Sequence, residues 1–298
     1  MDVLQIKGLK KSFGKKEVLR GVDLSVPTGS VFGFIGRNGA GKTTLMKLTL
    51  GLLSADGGEI CVAGERVRYG QTETNRMIGY LPDVPSFYGF YTAREYLTLC
   101  GECLGMRRSD IAERSEELLE IVGLQDERHR IKGFSRGMKQ RLGIAQALIA
   151  SPKLLICDEP TSALDPVGRK EILSLLQSIK DRTTVFFSTH ILSDVERICT
   201  HAALLQEGEI KLCGDVNSMR SHLGRNEILA EMETSAGAMR LSECLGGICR
   251  VEDRILTLAG DADRMREVLG IISEQRLSAL RVERTEPSLE ALFEEVER

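Results

Sequence analysis

Along the first two hundred positions, short apolar runs alternate with amphipathic stretches. VFGFI (31–35), KLLIC (153–157) and TVFFST (184–189) are continuous hydrophobic runs, the pattern of strands buried on both faces. Between them lie helical patterns, notably RGMKQRLGIAQALIA from Arg136 and DPVGRKEILSLLQSIK from Asp165. Strands separated by helices predict crossover units and a parallel sheet. Two further pairs, 4–9 with 18–26 and 203–206 with 209–213, read as antiparallel, the second closed by a Glu207-Gly208 turn. Around Asp215 the style changes. From Glu227 the order becomes strand (EILAEM), helix (AGAMRLSECL), hairpin (ICRVEDRILTLA), helix (DADRMREVLGII) and strand (LSALRVER). That order is that of a small ferredoxin-like α+β module. A last helix, SLEALFEEVER, is predicted from Ser288, with serine as its N-cap after Pro287.

The chain has 298 residues, room for roughly two domains of about 150 residues. Its longest charge-free run, 24–36, is broken by Pro27 and Gly29 and is shorter than the roughly 18 apolar residues of a membrane span. The start, MDVLQIKGL, is unlike a signal peptide. With 40 basic and 43 acidic residues the net charge is −3, which gives no bulk electrostatic case for nucleic acid or an anionic membrane. The eight cysteines are expected to be reduced thiols, and Cys100 and Cys103 to be core thiols, because no second pair lies at zinc spacing. Secreted, membrane-embedded and disulfide-scaffold classes are excluded.

The strongest chemical signal is GRNGAGKTT, with Gly36, Arg37, Asn38, Gly39, Ala40, Gly41, Lys42, Thr43 and Thr44 following VFGFI directly. It fits G-x-x-x-x-G-K-[ST] between a strand and a helix. The glycines let successive amides curl around a phosphate, the lysine reaches the outer phosphates, and Thr43 supplies a hydroxyl to Mg²⁺. The helix start adds its positive end. The second signal is LLICDEP, which puts Asp158 and Glu159 at a strand end. Asp158 suits Mg²⁺ held through water, and Glu159 suits a base that orients and deprotonates the attacking water. ATP and Mg²⁺ are the expected ligands. Taken alone, GFSRGMKQRLGIAQAL from Gly133 is a helix capped by Ser135.

The order of phosphate loop, FSRGMKQR, hydrophobic-DE, SALD and a histidine after a strand resembles the ATP-binding cassette (ABC) family of ATPases. The resemblance covers roughly the first 215 residues. It implies an α/β P-loop NTPase of ABC type, with a mixed sheet core, an antiparallel β subdomain and a helical subdomain. The cassette would span 3–222 and a small C-terminal α+β domain 223–298. The family also implies that Phe13 stacks on adenine; otherwise it is a half-buried strand-end side chain. Ser135, Arg136, Gly137 and Met138 match the signature that touches ATP held by the opposite subunit. Asp165 matches the D-loop at a dimer axis, and His190 the switch histidine near the γ-phosphate. Glu159, His190 and Lys42 are thus the expected catalytic residues, and Thr43, Asp83 and Asp158 the metal set.

Two departures stand out. Arg136 replaces a glycine of the signature, where it would either reach the partner's phosphates or point to solvent. Asp83 stands where the wider family has glutamine, in YLPDVPSFY, and the change is expected to slow hydrolysis or alter its Mg²⁺ dependence. The aromatics after it, Phe87, Tyr88, Phe90 and Tyr91, serve either a membrane partner's coupling helix or ordinary loop packing.

The Y-L-P-D-x-P-x-x-Y loop, the S-x-G-M-K-Q-R signature and the closing EPSLEALF look like the bacterial exporter-type subgroup, which includes drug-resistance, sodium-efflux and antibiotic-immunity ATPases. That resemblance implies a separate membrane permease, a head-to-tail homodimer or a pair with a paralogous ATPase, and a cytoplasmic location on the inner face of the cell membrane. The competing class is a soluble ABC ATPase acting on ribosomes or nucleic acid. A single cassette, without coiled-coil or zinc insertions, argues against it.

Overall fold

The computed structural model describes residues 2–70, 73–222 and 227–285, and the chain divides into two compact units, Met1–Val216 and Asn217–Arg298. The first unit opens with an antiparallel pair, β1 (Asp2–Phe13) and β2 (Lys16–Pro27), followed by β3 (Val31–Ile35) and α1 (Lys42–Thr49). β4 (Gly57–Val62) pairs with β1 and carries the short β5 (Glu65–Arg66). After β6 (Ile78–Leu81) comes a helical region of α2 (Ala93–Cys103), α3 (Arg108–Ile121) and α4 (Arg136–Leu148). Then follow β7 (Leu154–Cys157), α5 (Pro166–Ser178), β8 (Thr184–Thr189), α6 (Leu192–Ile198), β9 (His201–Gln206) and β10 (Glu209–Asp215), after which α7 (Val216–His222) begins the second unit.

One sheet is antiparallel, in the order β2-β1-β4-β5. The other is mixed, in the order β10-β9-β3-β8-β7-β6. In the mixed sheet β3, β6, β7, β8 and β9 run parallel and only β10 is antiparallel. The continuous apolar runs become β3, β7 and β8, every residue of which is buried. Side chains alternate across the sheet. Phe32, Phe34 and Phe186 pack with Leu4, Leu9 and Met46 between the two sheets. Phe187 and Leu155 pack with Leu97, Leu118 and Leu142 on the helical side. Each such side chain stabilises the unit by about 1.5–3 kcal/mol through burial.

This topology decides where the chemistry gathers. β3, β8 and β7 are adjacent and parallel, so their C-terminal ends share one edge. The segments leaving that edge are the phosphate loop, His190 and the Asp158-Glu159 pair.

The second unit contains β11 (Glu227–Met232), α8 (Ser235–Cys244), β12 (Arg250–Glu252), β13 (Ile255–Ala259), α9 (Ala262–Glu274) and β14 (Ala279–Thr285). Its sheet order, β12-β13-β11-β14 with all pairs antiparallel, is that of a ferredoxin-like module. Ile228, Ala230, Leu256 and Leu258 bury one sheet face against Ala238, Leu241 and Val268 of the helices.

The antiparallel pair at the start is longer than alternation predicts, because register shifts along β1 and β2 restore pairing where the alternation lapses. The turn at Glu207-Gly208 has positive φ at both residues (50° and 81°), as a tight hairpin requires. The helix expected from Ser288 lies outside the described residues. All eight cysteines are free. The C-x-x-C is only half in the core: Cys100 is partly buried, and burial pushes its thiol up to about 11, whereas Cys103, one turn further along α2, is exposed. Among the described residues, no helix is long and apolar enough to cross a membrane.

Candidate active site

The loop from Gly36 to Gly41 connects a fully buried strand to a helix with no side-chain cap, which leaves the first amides of α1 free for an anion. Gly41 has φ of 112°, and a Cβ there would lie 3.1–3.2 Å from Val18 and Leu19, so only glycine fits the turn. Lys42 is buried although charged. Its Nζ donates to the Gly36 carbonyl at 2.6 Å and to the Arg37 carbonyl at 3.3 Å, and lies 3.0 Å from Glu159 Oε1. A buried ammonium needs such compensation. Glu159 Oε1 accepts no aligned hydrogen bond, so this carboxylate oxygen keeps lone-pair capacity inside the site.

At the end of β7, with β8 between it and β3, Asp158 is buried and doubly held. Thr43 Oγ1 donates to Oδ2 at 2.7 Å and Ser188 Oγ donates to Oδ1 at 2.7 Å. Ser188 also accepts from the Glu159 amide at 2.8 Å. That bond steadies Glu159 in a left-handed conformation, φ 46°, which costs roughly 1–3 kcal/mol for a non-glycine residue. The other Glu159 oxygen, Oε2, lies 2.9 Å from His190 Nδ1. Burial, reinforced by the Asp158 charge, pushes the Tyr80 hydroxyl up to about 12.

Phe13, Asn38, Gly39, Gly41, Lys42, Thr43, Thr44, Asp83, Asp158 and Glu159 line one cavity of about 520 Å³, together with Lys16 and Val18. Gly36 and Arg37 contribute through the carbonyls that hold Lys42, while Ala40 packs towards the core between the sheets. Phe13 is 50% exposed at the end of β1, its ring 5.4 Å from Lys11 Nζ and open to the cavity. His190 joins the group through Glu159.

Ser135, Arg136, Gly137, Met138 and Asp165 are not in that lining. Ser135 caps α4, its Oγ accepting from the Met138 amide at 3.2 Å, and Gly137 faces open space. Asp165 caps α5 by accepting from the Gly168 amide at 3.1 Å. Arg136 is exposed at the start of α4, and its guanidinium comes within 3.9 Å of the Asp83 carboxylate. The two departures from the family pattern are therefore neighbours in space. Asp83 also accepts from the Ser162 hydroxyl, and its backbone carbonyl accepts from Gln140 Nε2 of α4 at 2.9 Å. The aromatic loop divides: Phe87 packs edge-on against Tyr96 at 5.1 Å, while Tyr88 and Phe90 are both 60% exposed.

Ser188 and Ser162 escaped the sequence reading. Ser188 had a signal, being a hydroxyl in the middle of the apolar run of β8. Ser162 opens the SALD motif, but only the fold brings its hydroxyl to Asp83.

The matching family model is that of the ABC transporter, over residues 19–162. The chain is 32% identical over 302 residues to the linearmycin resistance ATP-binding protein LnrL of Bacillus subtilis, covering 98% of this chain and 97% of that one. It is 42% identical over 211 residues to the bacitracin transport ATP-binding protein BcrA of Bacillus licheniformis, covering 70% and 68%. The chain belongs to the ABC transporter ATP-binding proteins. A solved ATP-binding subunit of an ABC transporter superposes with a TM-score of 0.67 at 32% identity, covering 74% of this chain and 93% of that one. The cassette is thus an ATP-binding ATPase of transport, which sets aside the ribosomal or nucleic-acid reading.

Proposed function

We propose that this ABC ATPase powers export through a separate membrane permease, working as a head-to-tail dimer, of two identical chains or with a paralogous ATPase, on the cytoplasmic face of the membrane. The cassette, 3–222, would be the motor, and 223–298 an accessory domain. The observation that carries the reading is the convergence of Lys42, Thr43, Asp158, Glu159 and His190 at one edge of the mixed sheet. The likeness to a linearmycin resistance ATP-binding protein supports the outward direction of transport.

ATP would lie along the phosphate loop, with its phosphates on the free amides of α1, Lys42 neutralising the outer ones and Phe13 against the base. Glu159 Oε1 would accept the proton of the attacking water, and His190 would hold the other oxygen of the same carboxylate in place. Thr43 and Asp158 are hard oxygen donors already 2.7 Å apart, a donor set that suits Mg²⁺, with Asp83 as the third candidate. Mg²⁺ would neutralise charge developing on the phosphates. Ser135 and Gly137, outside the chain's own cavity, would complete the partner's site. ATP binding would close the dimer and hydrolysis would open it, and the permease would turn that cycle into alternating access.

The test pairs two variants of the purified chain. Lys42→Ala should lose ATP binding. Glu159→Gln should bind ATP but hydrolyse it about 10²–10⁴-fold more slowly and elute as an ATP-dependent dimer. Wild-type turnover in Glu159→Gln would remove the proposed base, and a monomer with bound ATP would remove the dimer.

A further inference from the structure

Behind the Glu159–His190 pair lies a buried ionic knot outside the nucleotide cavity. Asp194, in the first turn of α6, is 1% exposed. A carboxylate that deep persists only where its charge and lone pairs are met. Arg169 Nε donates to Oδ1 at 2.6 Å, and Thr161 Oγ1 donates to Oδ2 at 2.9 Å. The second arm of the Arg169 guanidinium donates to Ser193 Oγ at 3.0 Å, which fixes its plane.

The three residues come from the three segments that carry proposed site residues. Thr161 sits two positions after Glu159, in a turn where the Ser162 amide donates to the Glu159 carbonyl at 3.0 Å. Arg169 lies one turn into α5, and its amide donates to the carbonyl of Asp165 at 2.9 Å. Asp194 follows His190 by four residues, and its own amide donates to Ile191 at 3.2 Å. His190 is 44% exposed, so packing alone does not fix its ring, and Glu159 holds a left-handed backbone that its surroundings must maintain. The knot links the backbones on which both depend.

We propose that Asp194 is a positioning residue for hydrolysis: through Thr161 and Arg169 it sets the separation of the His190 loop from the segment bearing Glu159 and Asp165. A buried ion pair contributes little net stability over an apolar replacement, so specified geometry is its better-supported use here. The inference rests on Glu159 and His190 being the hydrolytic pair.

The test uses the full chain. Asp194→Asn keeps an acceptor for Thr161 but removes the charge that holds Arg169. Its kcat should fall on the order of 10- to 100-fold, the cost of loosening a reacting group by a fraction of an ångström to an ångström. ATP affinity should stay within about twofold, since neither the phosphate loop nor Phe13 is touched. Thr161→Val keeps the charge pair, loses one hydrogen bond, and should lower kcat in the same direction if Asp194→Asn does not fold. In a His190→Ala background, Asp194→Asn should add less than about twofold, because residues acting through one another are non-additive. An unchanged kcat in Thr161→Val together with an unchanged kcat in a folded Asp194→Asn overturns the proposal. So does full additivity with His190→Ala, or a parallel loss of ATP affinity. Failure of the underlying reading looks different: His190→Ala or Glu159→Gln alone would then turn over ATP at the wild-type rate.

Discussion

Lys42 and Asp83, which line the same cavity, show how differently two charged side chains can be held. Lys42 is buried, held by two backbone carbonyls and beside Glu159, so its charge is fixed in place before any phosphate arrives. Asp83 is half exposed, taken by Ser162 and loosely by Arg136. Between exposed groups an ion pair at 3.9 Å contributes about 0–1 kcal/mol, so this contact guides orientation more than it stabilises. Asp83→Gln restores an amide donor, removes one negative charge from the cavity and frees Arg136. We expect the Mg²⁺ concentration for half-maximal ATPase to move measurably while the fold is unchanged. Titrating Mg²⁺ against turnover checks it, and identical Mg²⁺ curves and rates would show that Asp83 does not act on the metal. The sequence revealed both departures, but not that they touch. Positions 83 and 136 meet only because α4 packs beside β6, and no spacing along the chain encodes that contact.

Among the described glycines, the closest approach is at Gly79, where β6 meets the end of α4. A Cβ on Gly79 would lie 2.2 Å from the Ala147 carbonyl oxygen and 3.1 Å from Pro152, and the nearest atom is backbone that cannot swing away. Gly79→Ala should therefore destabilise the first unit by about 1–3 kcal/mol or more through overpacking. It should also disturb the segment leading to Asp83, lowering both the urea midpoint and turnover. A midpoint equal to that of the parent chain would mean that β6 is not packed as described. The existence of the elements was largely legible, because continuous apolar runs become buried strands and 3.6-residue periodicity becomes helix. Their pairing was not. Ser188 reaches Asp158 only because β7 and β8 are in parallel register with Ile156 opposite Phe186. Thr161, Arg169 and Asp194 look like ordinary polar positions until the loops are folded over one another.

At the scale of the whole molecule, each unit has a core of its own: two clusters on the faces of the mixed sheet in the first, and one between sheet and helices in the second. The strand–helix–strand–strand–helix–strand order of the second unit was legible from alternation alone, and its strand order agrees with it. A chain ending at His222 should therefore fold and bind ATP with unchanged affinity, as measured by nucleotide titration and circular dichroism. An unfolded product would show that the cassette depends on the rest of the chain.

If this ATPase drives a permease, as proposed, the two should be recovered together. Tagged Glu159→Gln chain, expressed in its native host and supplied with ATP, would be recovered from detergent-solubilised membranes and its companions identified by mass spectrometry. A polytopic membrane protein in near one-to-one amount, retained with ATP, is the expected result. Ribosomal proteins or DNA in its place, with no membrane partner, would contradict it.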